Sequence, residues 1–214
     1  MEAHYEYEPR APGCKFKSDQ PTADNIGCGS IPNSGIWNKR YNDTMKLEPV
    51  DLLVLSKLFI QGRTPWTIRS VSIDICLSDS EIHRSLRRCE AARLLDRQGR
   101  SVLKRNFEEF ILHGVKYAFP ADLGGPTIGL PTSYGAPPLS KNIVSDMAVP
   151  VWPDSEGPVA GYALAPLHKA VVCAARKDSA LYEILALIDV MRSGRAREVS
   201  LATEEIVRRL REDV

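Results

Sequence analysis

Residues 67–95 read TIRSVSIDICLSDSEIHRSLRRCEAARLL, a stretch that predicts two helices joined by a tight turn. The second helix is predicted over 77–93. Its inward face recurs at helical spacing and consists of Ile82, Ser85, Leu86 and Cys89. The opposite side is cationic and rich in hydrogen-bonding groups: Ser80, His83, Arg84, Arg87, Arg88 and Ala91. A helix of this kind can lie in a DNA groove while its back packs on a protein core.

Both helices of this pair carry recognisable start signals. The first begins near Thr64-Pro65-Trp66-Thr67 and runs to about Ile75, with Ile68 and Val71 also facing inward. The second opens with Ser78 followed three residues later by Glu81, the S-x-x-E pattern of a capping box. The turn between the helices is therefore predicted at residues 76–78.

The charge supports a nucleic-acid partner only locally. The whole chain has a formal net charge of +1, so it is not a polycation. Between residues 81 and 105, however, eight basic and three acidic side chains leave an excess of five positive charges. Such a patch suits phosphate binding. On charge alone, a solvated helix face is the alternative explanation.

The composition indicates the size of the domain and bears on whether disulfides or a metal site are expected. The chain has 214 residues, 43% of them hydrophobic, which is enough for one domain with appendages. Five cysteines, an odd number without a CxxC pair, do not suggest disulfide staples, so we expect Cys76 and Cys89 to be small core residues. Cys14, Cys28 and His4 fit no common metal-ligand spacing, and we expect no metal and no cofactor.

The N-terminus is polar and does not resemble a signal peptide. No apolar run reaches the roughly 18 residues that a membrane span requires. We therefore expect a cytoplasmic protein without a membrane partner.

The start of the second helix resembles a known family. Leu77, Ser78, Ser80, Glu81, Ile82, Ser85, Leu86, Arg88 and the exit Leu94-Leu95 are similar to the recognition helix of bacterial winged helix-turn-helix transcriptional regulators, of which MarR-type proteins are an example. The resemblance covers about residues 47–120. It implies that helix 77–93 enters the major groove of double-stranded DNA. The implied contacts to bases or phosphates are Ser80, His83, Arg84, Arg87 and Arg88. A plain surface histidine is an equal alternative for His83.

The sequence departs from that family after Leu95. A wing hairpin usually follows, but residues 96–101 form only a short polar turn and residues 102–115 have a helical period that ends at His113-Gly114. Residues 115–119 and 159–164 alternate like strands. We predict that these two strands pair as the β-ribbon of the wing. The Pro/Gly-rich insertion 120–158 would then be its displaced tip.

The remaining segments complete the predicted architecture. Residues 1–46 form a polar, largely irregular extension, and residues 47–60 form a core helix. Helices are predicted over 166–175, 179–191 and 200–211; they either complete the monomer core or form a homodimer interface. The fold class is therefore mainly α with a small β-ribbon: a winged helix-turn-helix-like domain over 47–214, with C-terminal helices in 166–212.

These patterns favour a DNA-binding transcriptional regulator, such as a repressor, acting as a homodimer. The alternative is an antitoxin or interaction adaptor that binds a partner protein and represses its own operon. An enzyme is not expected, because the candidate nucleophiles and bases show no recognisable catalytic spacing; they are Cys14, Cys28, Cys173, His4, His113 and His168.

Overall fold

The computed structural model describes residues 46–96, 101–141, 143 and 148–212. All of them belong to one compact unit, Asn38–Val214. The predicted N-terminal extension lies outside the described residues, apart from its last position.

Three helices form the first part of the unit: α1 (Pro49–Gln61), α2 (Ile68–Ile75) and α3 (Asp79–Ala91). Pro49 occupies the first turn of α1, where its missing N–H has no helical partner to lose. Gly62 ends α1 with a positive φ of 60°. The predicted stripe of α1 is buried and packs against the inner faces of α2 and α3. The sequence-based helices are confirmed here, with ends shifted by a few residues.

A minimal antiparallel pair follows α3 directly. Leu95 pairs with Val102, and the flanking backbone groups bond from Asp96 N to Ser101 O (2.8 Å) and from Leu103 N to Leu94 O (3.0 Å). The four residues between them, 97–100, lie outside the described part of the chain. The sequence had predicted only a polar turn at this position.

The prediction of a strand over 115–119 is wrong. This segment continues one helical run made of α4 (Lys104–Glu109), a π-helical segment (Phe110–Gly114) and α5 (Val115–Ala118). Phe107, Ile111 and Val115 are buried at spacings of four, whereas residues 116–118 are exposed. The apparent alternation of VKYAF was therefore the end of a helical pattern.

The sheet lies mostly inside the predicted insertion. It contains β1 (Leu123–Pro131), β2 (Pro150–Pro153) and β3 (Val159–Leu164), of which only β3 was predicted. β1 pairs antiparallel with both other strands, and β2 and β3 pair in parallel, so the three strands close on themselves. The predicted ribbon of 115–119 with 159–164 is therefore wrong. Glycine permits this tight closure: a Cβ at Gly129 would collide with the Trp152 backbone, and one at Gly161 with the Val149 carbonyl.

The insertion is attached to the helical body by a buried carboxylate. Asp189, on α7 (Ser179–Ser193), accepts hydrogen bonds from Thr132 Oγ1 (2.8 Å), Trp152 Nε1 (2.6 Å) and Arg192 (2.6 Å). Burial alone raises the pKa of Asp189, whereas the Arg192 guanidinium and the two neutral donors favour its charged form. Asp189 is thus the anchor that holds β2 and the segment after β1 against α7.

The last third is helical, as predicted, with different boundaries. α6 (Val171–Lys177) begins later than expected, and α8 (Ala196–Arg211) begins four residues earlier. Asp178 caps α7 by accepting a hydrogen bond from Leu181 N (3.1 Å). The apolar stripes of α7 and α8 are buried within the unit, so they complete the monomer core. A homodimer interface on other surfaces stays a prediction.

The prediction that Cys76 is a free core residue is wrong. Cys76, immediately after α2, forms a disulfide with Cys173 on α6, with Cα atoms 6.3 Å apart. The two positions are separated by 97 residues, and their proximity depends on how α2 packs against α6. Cys89 is a buried free thiol, as predicted, and burial raises its pKa to about 12.

Within the described residues, no helix combines the length and the apolar composition needed to cross a membrane.

Candidate nucleic-acid interface

The start of α3 is fixed by the capping box that the sequence predicted. Ser78 Oγ accepts from the Glu81 amide (3.3 Å), and Glu81 accepts from the Ser78 amide (3.1 Å) and hydroxyl (2.7 Å). These hydrogen bonds lower the pKa of Glu81 and keep its carboxylate charged. The capping box thereby satisfies the N–H groups of Ser78 and Glu81 and fixes where α3 begins.

Four of the five predicted contact residues share one exposed face of α3. Ser80, His83, Arg84 and Arg87 fall at i, i+3, i+4 and i+7, and each is exposed. The side chains of Arg84 and Arg87 form no hydrogen bond or ion pair with any other described residue. Ser80 is within 3.1 Å of the Ser78 hydroxyl, so one of its hydrogen-bonding positions is shared. This face presents two uncommitted guanidinium groups and an imidazole to solvent.

Arg88 does not belong to this face, which corrects the fifth predicted contact. Its side chain is only 8% exposed and is bound by Asp51 of α1, with Nε to Oδ2 at 2.8 Å and the second nitrogen to Oδ1 at 2.6 Å. Glu48 adds a third oxygen at 3.3 Å. The hydrogen bonds that Arg88 donates to Asp51 raise the pKa of Arg88 above its usual value. Arg88 therefore joins α3 to α1 and is not available to DNA.

Replacing Arg88 with alanine should lower the free energy of unfolding by about 3 kcal/mol, because the carboxylate of Asp51 stays buried without its cation. Urea denaturation measures this loss. The matched control is Arg87→Ala, one residue earlier but exposed, which should change stability by less than about 0.5 kcal/mol. Equal losses in the two variants would contradict the assignment of Arg88 to the interior.

One further cation borders the exposed face. Arg69 of α2 is 74% exposed and lies 3.6 Å from Asp79, which places it beside the start of α3. Lys104 and Arg105 are also exposed, but Lys104 lies over the Phe59 ring (5.9 Å) and Arg105 pairs with Glu109 (3.4 Å). Arg69 was not among the predicted contact residues. The sequence feature that could have identified Arg69 is its position on the solvent side of the first turn of α2, opposite the buried Val71 and Ile75.

A surface pocket of about 310 Å³ adjoins the same face. Its lining mixes charges of both signs with apolar groups and consists of Glu48, Pro49, Val50, Glu81, Arg84, Arg88, Leu167 and His168. The carboxylates of Glu48 and Glu81 would repel an anion in this pocket. The charge of Arg88 is already neutralised by Asp51. Phosphate binding is therefore favoured on the outer side of Arg84 and not within this pocket.

No protein-family model, curated protein or solved structure matches this chain.

Of the candidate catalytic residues, the three that the structure describes do not form a catalytic group. Cys173 is disulfide-bonded, His113 is exposed in the π-helical segment, and His168 uses Nδ1 to accept from the Ala170 amide (3.2 Å). Cys14, Cys28 and His4 lie outside the described residues. In the part of the chain that the structure describes, no group of three or more His, Cys, Asp or Glu side chains could hold a metal ion.

Proposed function

We propose that this protein is a DNA-binding transcriptional regulator that places α3 in the major groove of double-stranded DNA. The carrying observation is the arrangement of Ser80, His83, Arg84 and Arg87 on one exposed face, while the opposite face of α3 is buried against α1 and α2. Residues at i, i+3, i+4 and i+7 follow one side of a helix for two turns, the length over which a helix meets base edges.

The chemistry of this face suits both kinds of DNA contact. Arginine can donate two parallel hydrogen bonds to guanine, and it can also neutralise a phosphate. Ser80 and His83 add short polar groups near the helix start, the end that helix-turn-helix proteins direct at bases. Arg69 lies at the border of this face, 3.6 Å from Asp79, where a phosphate contact would fix the register.

The winged helix-turn-helix interpretation is retained with a different wing. α2, the turn at 76–78 and α3 would form the helix-turn-helix. The Leu95–Val102 pair would be the wing, directly after the recognition helix. This position agrees with the MarR-like resemblance better than a wing split by the 120–158 segment. The sheet within that segment would then be an addition to the DNA-binding unit.

The test is to incubate the purified full chain with fragmented genomic DNA, sequence what it retains, and titrate the selected site against a scrambled duplex. We expect at least about a thousandfold preference for the selected site. The logarithm of the affinity should fall with the logarithm of salt concentration with a slope of about −3 or steeper, since at least three cations face phosphates. Equal affinity for both duplexes, or no binding, would contradict the proposal.

Partner-protein binding, as in an antitoxin or adaptor, is the second candidate. It is favoured by apolar side chains on the outer surface of the sheet, where Ile128 is 53% exposed and Tyr162 is 41% exposed. Protein interfaces are enriched in such groups. A regulator that also binds a partner would use this surface in addition to α3.

A further inference from the structure

We propose that the Cys76–Cys173 disulfide is a reversible redox site whose reduction weakens DNA binding by α3. The reversibility of the disulfide requires no assumption about DNA. The effect of reduction on DNA binding rests on the proposed function. The two parts of the proposal are tested by separate measurements.

The bond lies at the turn that leads into α3. Cys76 ends α2 in a left-handed conformation with φ of 56°, and the capping residue Ser78 follows two positions later. A non-glycine residue in this conformation is held there by its surroundings. The disulfide connects this strained position to α6 across a separation of 97 residues. Its opening therefore removes a constraint from the turn itself.

The two cysteines differ in exposure. Cys173 is exposed on α6, whereas Cys76 is half-buried. A thiolate in solution can reach Cys173, as disulfide exchange requires. Cys89 is fully buried beside Ser85 and does not take part.

Other contacts keep the two cysteines near each other when the bond is open. Lys177 of α6 donates to the Ile73 carbonyl of α2 (2.6 Å). Lys57 lies between Asp74 (3.1 Å) and Asp178 (2.9 Å), on either side of the same contact. These polar ties surround the disulfide, so α2 and α6 remain adjacent after reduction. The bond can consequently re-form, which makes the site reversible.

The thiol–disulfide exchange uses a dithiol as the reductant and a low-molecular-weight disulfide as the oxidant. A dithiol thiolate attacks Cys173 Sγ, and Cys76 leaves as a thiolate that takes up a proton. The second dithiol sulfur attacks the mixed disulfide and releases Cys173 as a thiol. Two electrons pass to the protein, and the dithiol becomes a cyclic disulfide. Oxidation by a disulfide such as oxidised glutathione reverses these steps.

Reduction should let the turn at residues 76–78 and the start of α3 leave their DNA-binding arrangement more often. When only about a tenth of the molecules hold the competent arrangement, the apparent affinity falls about tenfold. The later part of α3 stays joined to α1 by the Arg88–Asp51 pair, so the protein remains folded.

The experiment uses the full chain with Cys14→Ser and Cys28→Ser, which leaves Cys76, Cys89 and Cys173. The protein is equilibrated in glutathione buffers of graded potential, and mass spectrometry after alkylation counts its thiols. We expect one thiol in the oxidised form, three in the reduced form, and full return on reoxidation. Failure of the bond to form in oxidising buffer, or to open with dithiothreitol without denaturant, would overturn the redox site.

Two measurements test whether the redox state of the disulfide affects α3. Affinity for the selected duplex should fall about tenfold on reduction, and Cys173→Ser should bind like the reduced form in both buffers. Hydrogen exchange at residues 76–84 should accelerate on reduction, with little change in α7. Unchanged exchange overturns the coupling whether or not the protein binds DNA. Accelerated exchange in a protein that binds no DNA in either state supports the coupling and rejects only the proposed function.

Discussion

Replacing Arg84 and Arg87 together with alanine should weaken binding to the selected DNA site by at least about 30-fold and leave the unfolding temperature nearly unchanged. A well-placed bidentate arginine contributes about 1–3 kcal/mol of discrimination, so two of them account for roughly 2–6 kcal/mol. Neither side chain forms a hydrogen bond or ion pair with another described residue, so their removal leaves no buried group unpaired. Fluorescence anisotropy with a labelled duplex measures the loss.

The control for this variant removes two exposed arginines elsewhere. Arg197 and Arg211 lie on α8, and their joint replacement by alanine changes the net charge by the same amount. The Arg84→Lys, Arg87→Lys variant keeps the charge and loses the planar donor pair, so it separates phosphate neutralisation from base recognition. If the α3 alanine variant binds as well as the α8 control, α3 is not the recognition helix.

Replacing Asp189 with alanine should lower the free energy of unfolding by about 5 kcal/mol. The variant leaves Arg192, whose side chain is only 5% exposed, without its carboxylate. It also removes the acceptor of Trp152 Nε1 and Thr132 Oγ1. Losing one member of a buried ion pair typically costs about 3–5 kcal/mol. Because two further donors also lose their acceptor, we expect the loss at this site to lie at the upper end of that range. Urea denaturation followed by circular dichroism measures the change.

The matched comparison is Thr132→Val, which removes one neutral hydrogen bond to the same carboxylate and should cost about 1 kcal/mol. With Trp37 and Trp66 replaced by phenylalanine in both variants and in their parent, the fluorescence of Trp152 reports on the docking of the sheet segment against α7. We expect Asp189→Ala to expose Trp152 to solvent before the helical core unfolds. A loss no larger than that of Thr132→Val would mean that Asp189 is not the anchor of this segment.

The candidate interface could be predicted from the sequence because its signal is local. The spacing of Ile82, Leu86 and Cys89 fixes which side of α3 is buried, and the capping box fixes where the helix starts. The exposed positions 80, 83, 84 and 87 follow from that period. Arg88 was misplaced because it lies at the edge of the buried stripe, and its partner Asp51 is 37 residues away.

The amino-acid sequence by itself determined most of the helices of this protein and strand β3, because periodicity, caps and breakers act within a few residues. Tertiary structure alone decided the pairing of the sheet, the Asp189 anchor and the Cys76–Cys173 bond. Each of these joins residues far apart in the chain, and which distant groups meet is set by the packing of whole elements. Residues 67–95 thus specify a helix with one cationic face. The helices packed behind that face decide that Arg84 and Arg87 remain free while Arg88 is held inside.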